Sequence, residues 1–226
     1  MDNRIERHID NRRRVLSPFR NDSIVPFAGL LLMLIWFGGI MMYAAYAKSQ
    51  MQSSRTYQAQ KVKAAFLYNF VRFVEWPKDK MAENDSSIVI GVIGKGSFAD
   101  ALEPMKGKKV KGKQIVIEHY KGVEELLRAG VTDQKKLEKK LEPIRNCHLL
   151  FICSSEKKQV SKILSITKNH SILTVADMKD FLNKGGMICF VTENNKIRFS
   201  VNVKAAKKAN LKIRSQLLRL AKTVIK

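Results

Sequence analysis

Hydrophobic and polar positions divide the chain into stretches of different rhythm. From Ile24 to Ala47 there is no charged residue, and Leu30, Leu31, Leu32, Met33, Leu34, Ile35, Trp36 and Phe37 follow one another without a break. A helix packed on a soluble core would interrupt such a run with a polar face. Ser49 to Ser54 is a polar lead-in, after which Val62, Ala65, Phe66, Phe70 and Phe73 recur at helical spacing and predict a helix over Tyr57 to Val74. Pro77 ends it, because the residue before a proline is pushed to extended geometry.

Beyond Pro77, short β-branched runs alternate with amphipathic segments. Ile88 to Ile93 predicts a strand, Ser97 to Met105 a helix capped by Ser97, and Gln114 to Tyr120 the next strand. Val123 to Arg128 begins a helix, and the highly charged Asp133 to Glu142 reads as a second one on the surface. His148 to Cys153 is almost continuously apolar, as in a central parallel strand covered on both faces. Ser155 to Lys168 reads as a helix, Ile172 to Val175 as a strand, and Asp177 to Leu182 as a short helix closed by Gly185 and Gly186. Met187 to Thr192 and Ile197 to Val203 flank Glu193, Asn194, Asn195 and Lys196, a hairpin signal because Asn tolerates positive φ. Two helices, Lys204 to Ala209 and Arg214 to Ile225, complete the pattern. The order predicts an α/β fold: a three-layer sandwich with a mostly parallel sheet and a C-terminal antiparallel hairpin.

Charge changes the picture at the N-terminus. Arg4, Arg7, Arg12, Arg13, Arg14 and Arg20 precede the apolar stretch, which ends in the small-x-small triplet Ala45-Tyr46-Ala47. This is the layout of an export signal, with cleavage expected after Ala47. The stretch also approaches the ~20 residues that span a bilayer, so an uncleaved signal anchor is the alternative. Either way the leading arginines hold the N-terminus in the cytoplasm and place the rest outside. The expected divisions are 1–47 as signal peptide or anchor, 48–56 as a flexible lead-in and 57–226 as one α/β domain, acting outside the cytoplasm.

The formal net charge is +22, from 42 Lys+Arg against 20 Asp+Glu. Such a balance favours anionic partners in general. Nucleic acid is not expected, because the lysines are scattered and no basic run is interleaved with the aromatics that base stacking needs. The cysteines are Cys147, Cys153 and Cys189. Cys147 and Cys153 sit in one predicted strand, roughly 20 Å apart at about 3.3 Å per residue, too far to pair. Cys189 could pair with either, and three buried thiols are the simpler reading.

Candidate chemistry is thin. Gly94-Lys95-Gly96-Ser97-Phe98-Ala99 fits the G-x-G-x-x-[GA] dinucleotide pattern between a strand and a helix, with Glu118 near the end of the next strand. A nucleotide-binding enzyme using the Gly94, Gly96 and Ala99 turn is therefore the alternative function. No G-x-S-x-G elbow, H-E-x-x-H helix or C-x-x-C pair occurs. His119, His148 and His170 stand singly, and Ser154, Ser155 and Glu156 read as a helix cap and first turn. No catalytic residue, cofactor or metal is expected.

Several segments resemble the YfiR-like periplasmic proteins: Lys63-Ala64-Ala65-Phe66-Leu67-Tyr68-Asn69-Phe70 through Phe73-Val74-Glu75-Trp76-Pro77, and Ile90-Gly91-Val92-Ile93-Gly94. Similar blocks are Cys147-His148-Leu149-Leu150-Phe151-Ile152, Ser171-Ile172-Leu173-Thr174-Val175 with Asp177, and Gly185-Gly186-Met187-Ile188. Arg198-Phe199 with Asn202, Leu211-Lys212-Ile213 and Leu217-Leu218-Leu220-Ala221 continue the likeness to the C-terminus. The charged insertion around Gly130 to Glu142 departs from that pattern, as does the shortage of cysteines for stabilising disulfides. The resemblance implies a periplasmic repressor that binds the extracytoplasmic domain of an inner-membrane signalling protein, a diguanylate cyclase, and so lowers cyclic di-GMP and biofilm formation. The residues singled out as a ligand or partner surface are Glu75 and Trp76, with Arg198, Asn202, Lys212 and Arg214 as polar companions. Core burial of Trp76 and a plain edge-strand role for Arg198 stand beside that reading. A small aromatic or anionic ligand and a homodimer are left open as further partners.

Overall fold

The computed structural model describes residues 25–82, 85–96, 98–128 and 134–226. The leader arginines, the expected Ser97 cap and residues 130–133 of the charged insertion lie outside the described residues. The chain divides into two units, Met1–Gln52 and Ser53–Lys226. In the first, the side chains of Met33, Trp36, Met42 and Tyr46 are exposed. Among the described residues no helix is long and apolar enough to cross a membrane.

Helix α1 covers Val25–Phe73. Residues 48–56 lie within this helix: no Gly or Pro interrupts the chain between Gly39 and Pro77, and Gln, Met, Lys and Arg favour helix. Strand β1 is Val74–Glu75. The domain then builds β2 (Ser87–Ile93), α2 (Phe98–Leu102), β3 (Lys109–Val110) and β4 (Lys113–Tyr120). Next come α3 (Val123–Arg128), α4 (Gln134–Asn146), β5 (Leu149–Ile152), α5 (Val160–Thr167) and β6 (Leu173–Ala176). The hairpin β7 (Ile188–Glu193) and β8 (Lys196–Asn202) is followed by α6 (Val203–Lys208), β9 (Lys212–Ile213), α7 (Ser215–Leu218) and β10 (Thr223–Ile225).

Eight strands form one sheet in the order β10-β8-β7-β6-β5-β2-β4-β3. Its centre, β4-β2-β5-β6-β7, is parallel throughout, and the chain order of these five strands is that of a doubly wound fold. The hairpin pairs Ile188 with Val201 and Glu193 with Lys196, and Asn194 and Asn195 take φ of 48° and 59° as its turn requires. The fold is the expected three-layer α/β sandwich. Along β5, Leu149 and Phe151 enter one core while Leu150 and Ile152 enter the other, as period-two alternation demands. The first core holds α1, α2, α6 and α7; the second holds α3, α4 and α5. Phe70 stacks on Phe190 at 5.7 Å and meets Phe199 edge-on at 5.0 Å, joining α1 to the hairpin.

Three local expectations are corrected. Residues 177–182 make turns instead of a helix, because Asp180 takes φ of 62°. The helix expected over Ser155 to Lys168 starts only at Val160, after a 3-10 turn at Ser154–Glu156. The helix expected over Arg214 to Ile225 stops at Leu218, and Thr223–Ile225 instead runs parallel to Ser200–Asn202. Three β-favouring residues beside an open sheet edge are stabilised more by pairing than by continuing a helix.

Candidate functional site

The site begins where α1 ends. Val74–Glu75 pairs antiparallel with Lys212–Ile213, setting Val74 opposite Ile213 and Glu75 opposite Lys212, and the Arg214 amide donates to the Phe73 carbonyl at 3.0 Å. Alternation along this ribbon buries Val74 and Ile213 and turns Glu75 and Lys212 outward. Arg214 Nε donates to Glu75 Oε1 at 2.6 Å, and Lys212 Nζ lies 3.6 Å from Oε2. The Arg214 hydrogen bond is the main reason the Glu75 carboxyl titrates below its usual range.

Sequence reasoning missed a fourth member. Lys111, in the β3–β4 turn with φ of 54°, donates its ammonium to the Val74 carbonyl and lies 4.8 Å from the centre of the Trp76 ring. Burial, then the nearby Arg214, lowers its pKa. Its only sequence signal was a Lys-Gly pair just before the strand-like run Gln114 to Tyr120. The ribbon therefore gathers three cations, Lys111, Lys212 and Arg214, around one carboxylate, a balance that attracts anionic groups.

The remaining expected residues sit differently. Trp76 is 8% exposed, and its Nε1–H donates to the His148 carbonyl at 3.1 Å, so the indole belongs to the core and presents no open face. Arg198, opposite Val191 on the hairpin, is exposed. Asn202 caps α6, accepting from the Ala205 amide at 2.9 Å, and donates to the Leu182 carbonyl at 3.1 Å. Among the described residues neither Arg198 nor Asn202 is bonded to Glu75. The structure thus assembles Glu75, Trp76, Lys212 and Arg214 and leaves Arg198 and Asn202 outside that group.

The glycine-rich turn after β2 lies where the order of the parallel strands reverses, the usual place for a ligand in such folds. Its first two amides are engaged internally. The Gly94 amide donates to the Tyr120 carbonyl at 3.2 Å and the Lys95 amide to Ser155 Oγ at 2.9 Å. The buried Glu156 accepts from the Val123 amide at 3.0 Å, placing the chain's own carboxylate at the start of α3. Ser155 and Glu156 pack where a Cβ on Gly94 would sit.

Cys147, Cys153 and Cys189 are free and buried. Burial pushes the thiols of Cys147 and Cys153 up to about 11. Among the described residues no group of three or more His, Cys, Asp or Glu is placed to hold a metal ion.

No curated protein matches the chain. Among solved structures, a conserved domain protein from Vibrio cholerae O1 biovar El Tor strain N16961 is similar at 11% identity and a TM-score of 0.44, covering 65% of this chain and 57% of that one. The ABC domain from Streptococcus pneumonia, in complex with L-Trp, is similar at 10% identity and a TM-score of 0.41, covering 61% of this chain and 55% of that one. The chain spans little more than half the length of these two structures. The family model that matches covers residues 60–222, nearly the whole α/β domain, and the chain belongs to the YfiR/HmsC-like family.

Proposed function

We propose that this chain is an exported regulatory protein whose α/β domain works in the periplasm, binding the extracytoplasmic domain of an inner-membrane diguanylate cyclase and keeping its output low. The observation that carries the reading is the family match over residues 60–222. The apolar stretch behind six arginines supports export, by cleavage after Ala47 or as an anchor. The Glu75, Lys212 and Arg214 ribbon is the proposed contact surface, since its charged groups face outward on a two-strand support fixed to the core. A small anionic or aromatic ligand at the same ribbon is part of the proposal.

The nucleotide-binding alternative gains no support from the Gly94 and Lys95 amides, which are bonded to Tyr120 and Ser155. Deletion of the gene is expected to raise cyclic di-GMP and surface adhesion, and a tagged chain is expected to co-purify an inner-membrane cyclase. Unchanged cyclic di-GMP together with no captured cyclase would end the regulatory reading. Export is tested separately by fusing alkaline phosphatase after residue 60, where an inactive fusion would place the domain in the cytoplasm.

A further inference from the structure

A cleft of about 500 Å³ opens between the C-terminal end of α5, the turn at Leu182–Gly185 and α6. Lys168, Lys204 and Lys208 line it, and no Asp or Glu does. Among the described residues none of these three lysines is ion-paired. The neighbouring cleft of about 430 Å³ differs, because Asp177 and Asp180 outnumber Lys179 in its lining. Leu164, Leu182 and Met187 supply apolar lining to the lysine cleft.

The walls are tied to one another. Asn202, itself part of the lining, donates to the Leu182 carbonyl and accepts from the Ala205 amide, linking the turn to α6. The Met187 amide donates to Thr174 Oγ1 at 3.3 Å, fixing the turn against β6. A cleft so braced needs little ordering on binding, and a concave site of this size with apolar lining and a few polar groups suits a small molecule. Cations facing one cleft without a carboxylate focus positive potential into it.

We infer that this cleft binds a small amphiphilic anion, a carboxylate or phosphate head on an apolar body, with the head held by Lys168, Lys204 and Lys208 and the body resting on Leu164, Leu182 and Met187. It lies on elements other than the β1–β9 ribbon, and the inference stands whether or not the cyclase reading does.

The test uses the full chain in detergent with methyl-labelled methionine, the Met187 signal being identified through Met187→Leu. The probes are 2-naphthoate, 2-naphthyl phosphate and the uncharged 2-naphthamide. Either anion is expected to shift the Met187 methyl saturably, and the amide to bind at least about tenfold more weakly, a difference of one decade in Kd. The tighter anion identifies the head. The triple variant Lys168→Gln, Lys204→Gln, Lys208→Gln, with an unchanged circular dichroism spectrum, is expected to weaken anion binding by about tenfold or more. Equal binding of the amide, unchanged affinity in the triple variant, or no Met187 shift at millimolar probe would overturn the inference. So would binding lost in Lys212→Gln, Arg214→Gln and retained in the triple variant, which would move the ligand to the ribbon.

Discussion

Trp76 and His148 lock the end of α1 to the central strand β5: the indole Nε1–H donates to the His148 carbonyl at 3.1 Å, and the two rings meet edge-on at 6.0 Å. The same carbonyl accepts from the Leu173 amide at 2.9 Å, so it keeps one partner if the indole is removed. Trp76→Phe is therefore expected to cost about 1 kcal/mol, the net worth of one hydrogen bond. Trp76→Ala is expected to cost about 3–5 kcal/mol, because a cavity is added. Urea titrations of the two variants against the parent check the ordering, and equal stability in all three would contradict a core role for the indole.

His148 makes stability depend on pH. Its Nδ1 accepts from the Val89 amide at 3.1 Å, so the proton sits on Nε2, which donates to the Lys80 carbonyl at 3.1 Å. An imidazolium would lose the acceptor at Nδ1. Burial, assisted by Lys80, lowers the pKa from 6.5 to about 4. The unfolded chain then takes up a proton that the folded chain refuses as pH falls from 6.5 towards 4. The contribution is complete above 6.5 and declines below it, by roughly 3 kcal/mol at the acid end, from 1.36 kcal/mol per pKa unit. His148→Gln should flatten the difference between stabilities measured at pH 7 and pH 4.5. A slope identical to the parent's would show that other groups carry it.

Gly94 is expected to tolerate no side chain. Its φ is +101°, and a Cβ there would lie 2.6 Å from Ser155 Oγ and 2.7 Å from Glu156 Cγ. Gly94→Ala should destabilise the domain by at least about 1–3 kcal/mol, the cost of a strained backbone alone. The parent chain should show no binding of ATP or NAD by calorimetry, and measurable binding abolished by Gly94→Ala would restore the nucleotide reading.

Arg214→Glu separates function from folding at the ribbon. It sets a carboxylate beside Glu75 where the guanidinium had been, on an exposed pair whose loss changes stability little. In a deletion strain carrying the variant, cyclic di-GMP is expected to stay high while the purified protein melts like the parent. Full restoration of repression would remove the ribbon from the contact surface.

The three thiols should be silent in the native state. All are buried, and Cys147 and Cys153 titrate near 11, so little thiolate exists at pH 8. A disulfide-exchange reagent is expected to react with none of them within minutes in buffer and with all three in denaturant. Rapid native labelling of any one would show an opening that exposes its core.

Much of the fold was legible because it rests on local causes. Apolar runs at Ile88 to Ile93 and His148 to Cys153 must be buried on both faces, and the Asn194-Asn195 turn carries its own backbone preference, so neither needs a distant partner to be read. Glu75 and Lys212 were legible as charged residues in recognisable blocks, with Arg214 directly after the second. Their meeting was not, because a strand of two residues at Val74–Glu75 has no period of its own and exists only through pairing with Lys212–Ile213, remote in the chain. The same holds for β10, where pairing with β8 overrode a helical pattern, and for Lys111, placed beside Trp76 by the β3–β4 turn. Periodicity and turn chemistry act over a few residues and can be read from sequence; the burial of Trp76 and the gathering of charges at the ribbon are set by contacts between distant segments, so the tertiary structure alone decided them.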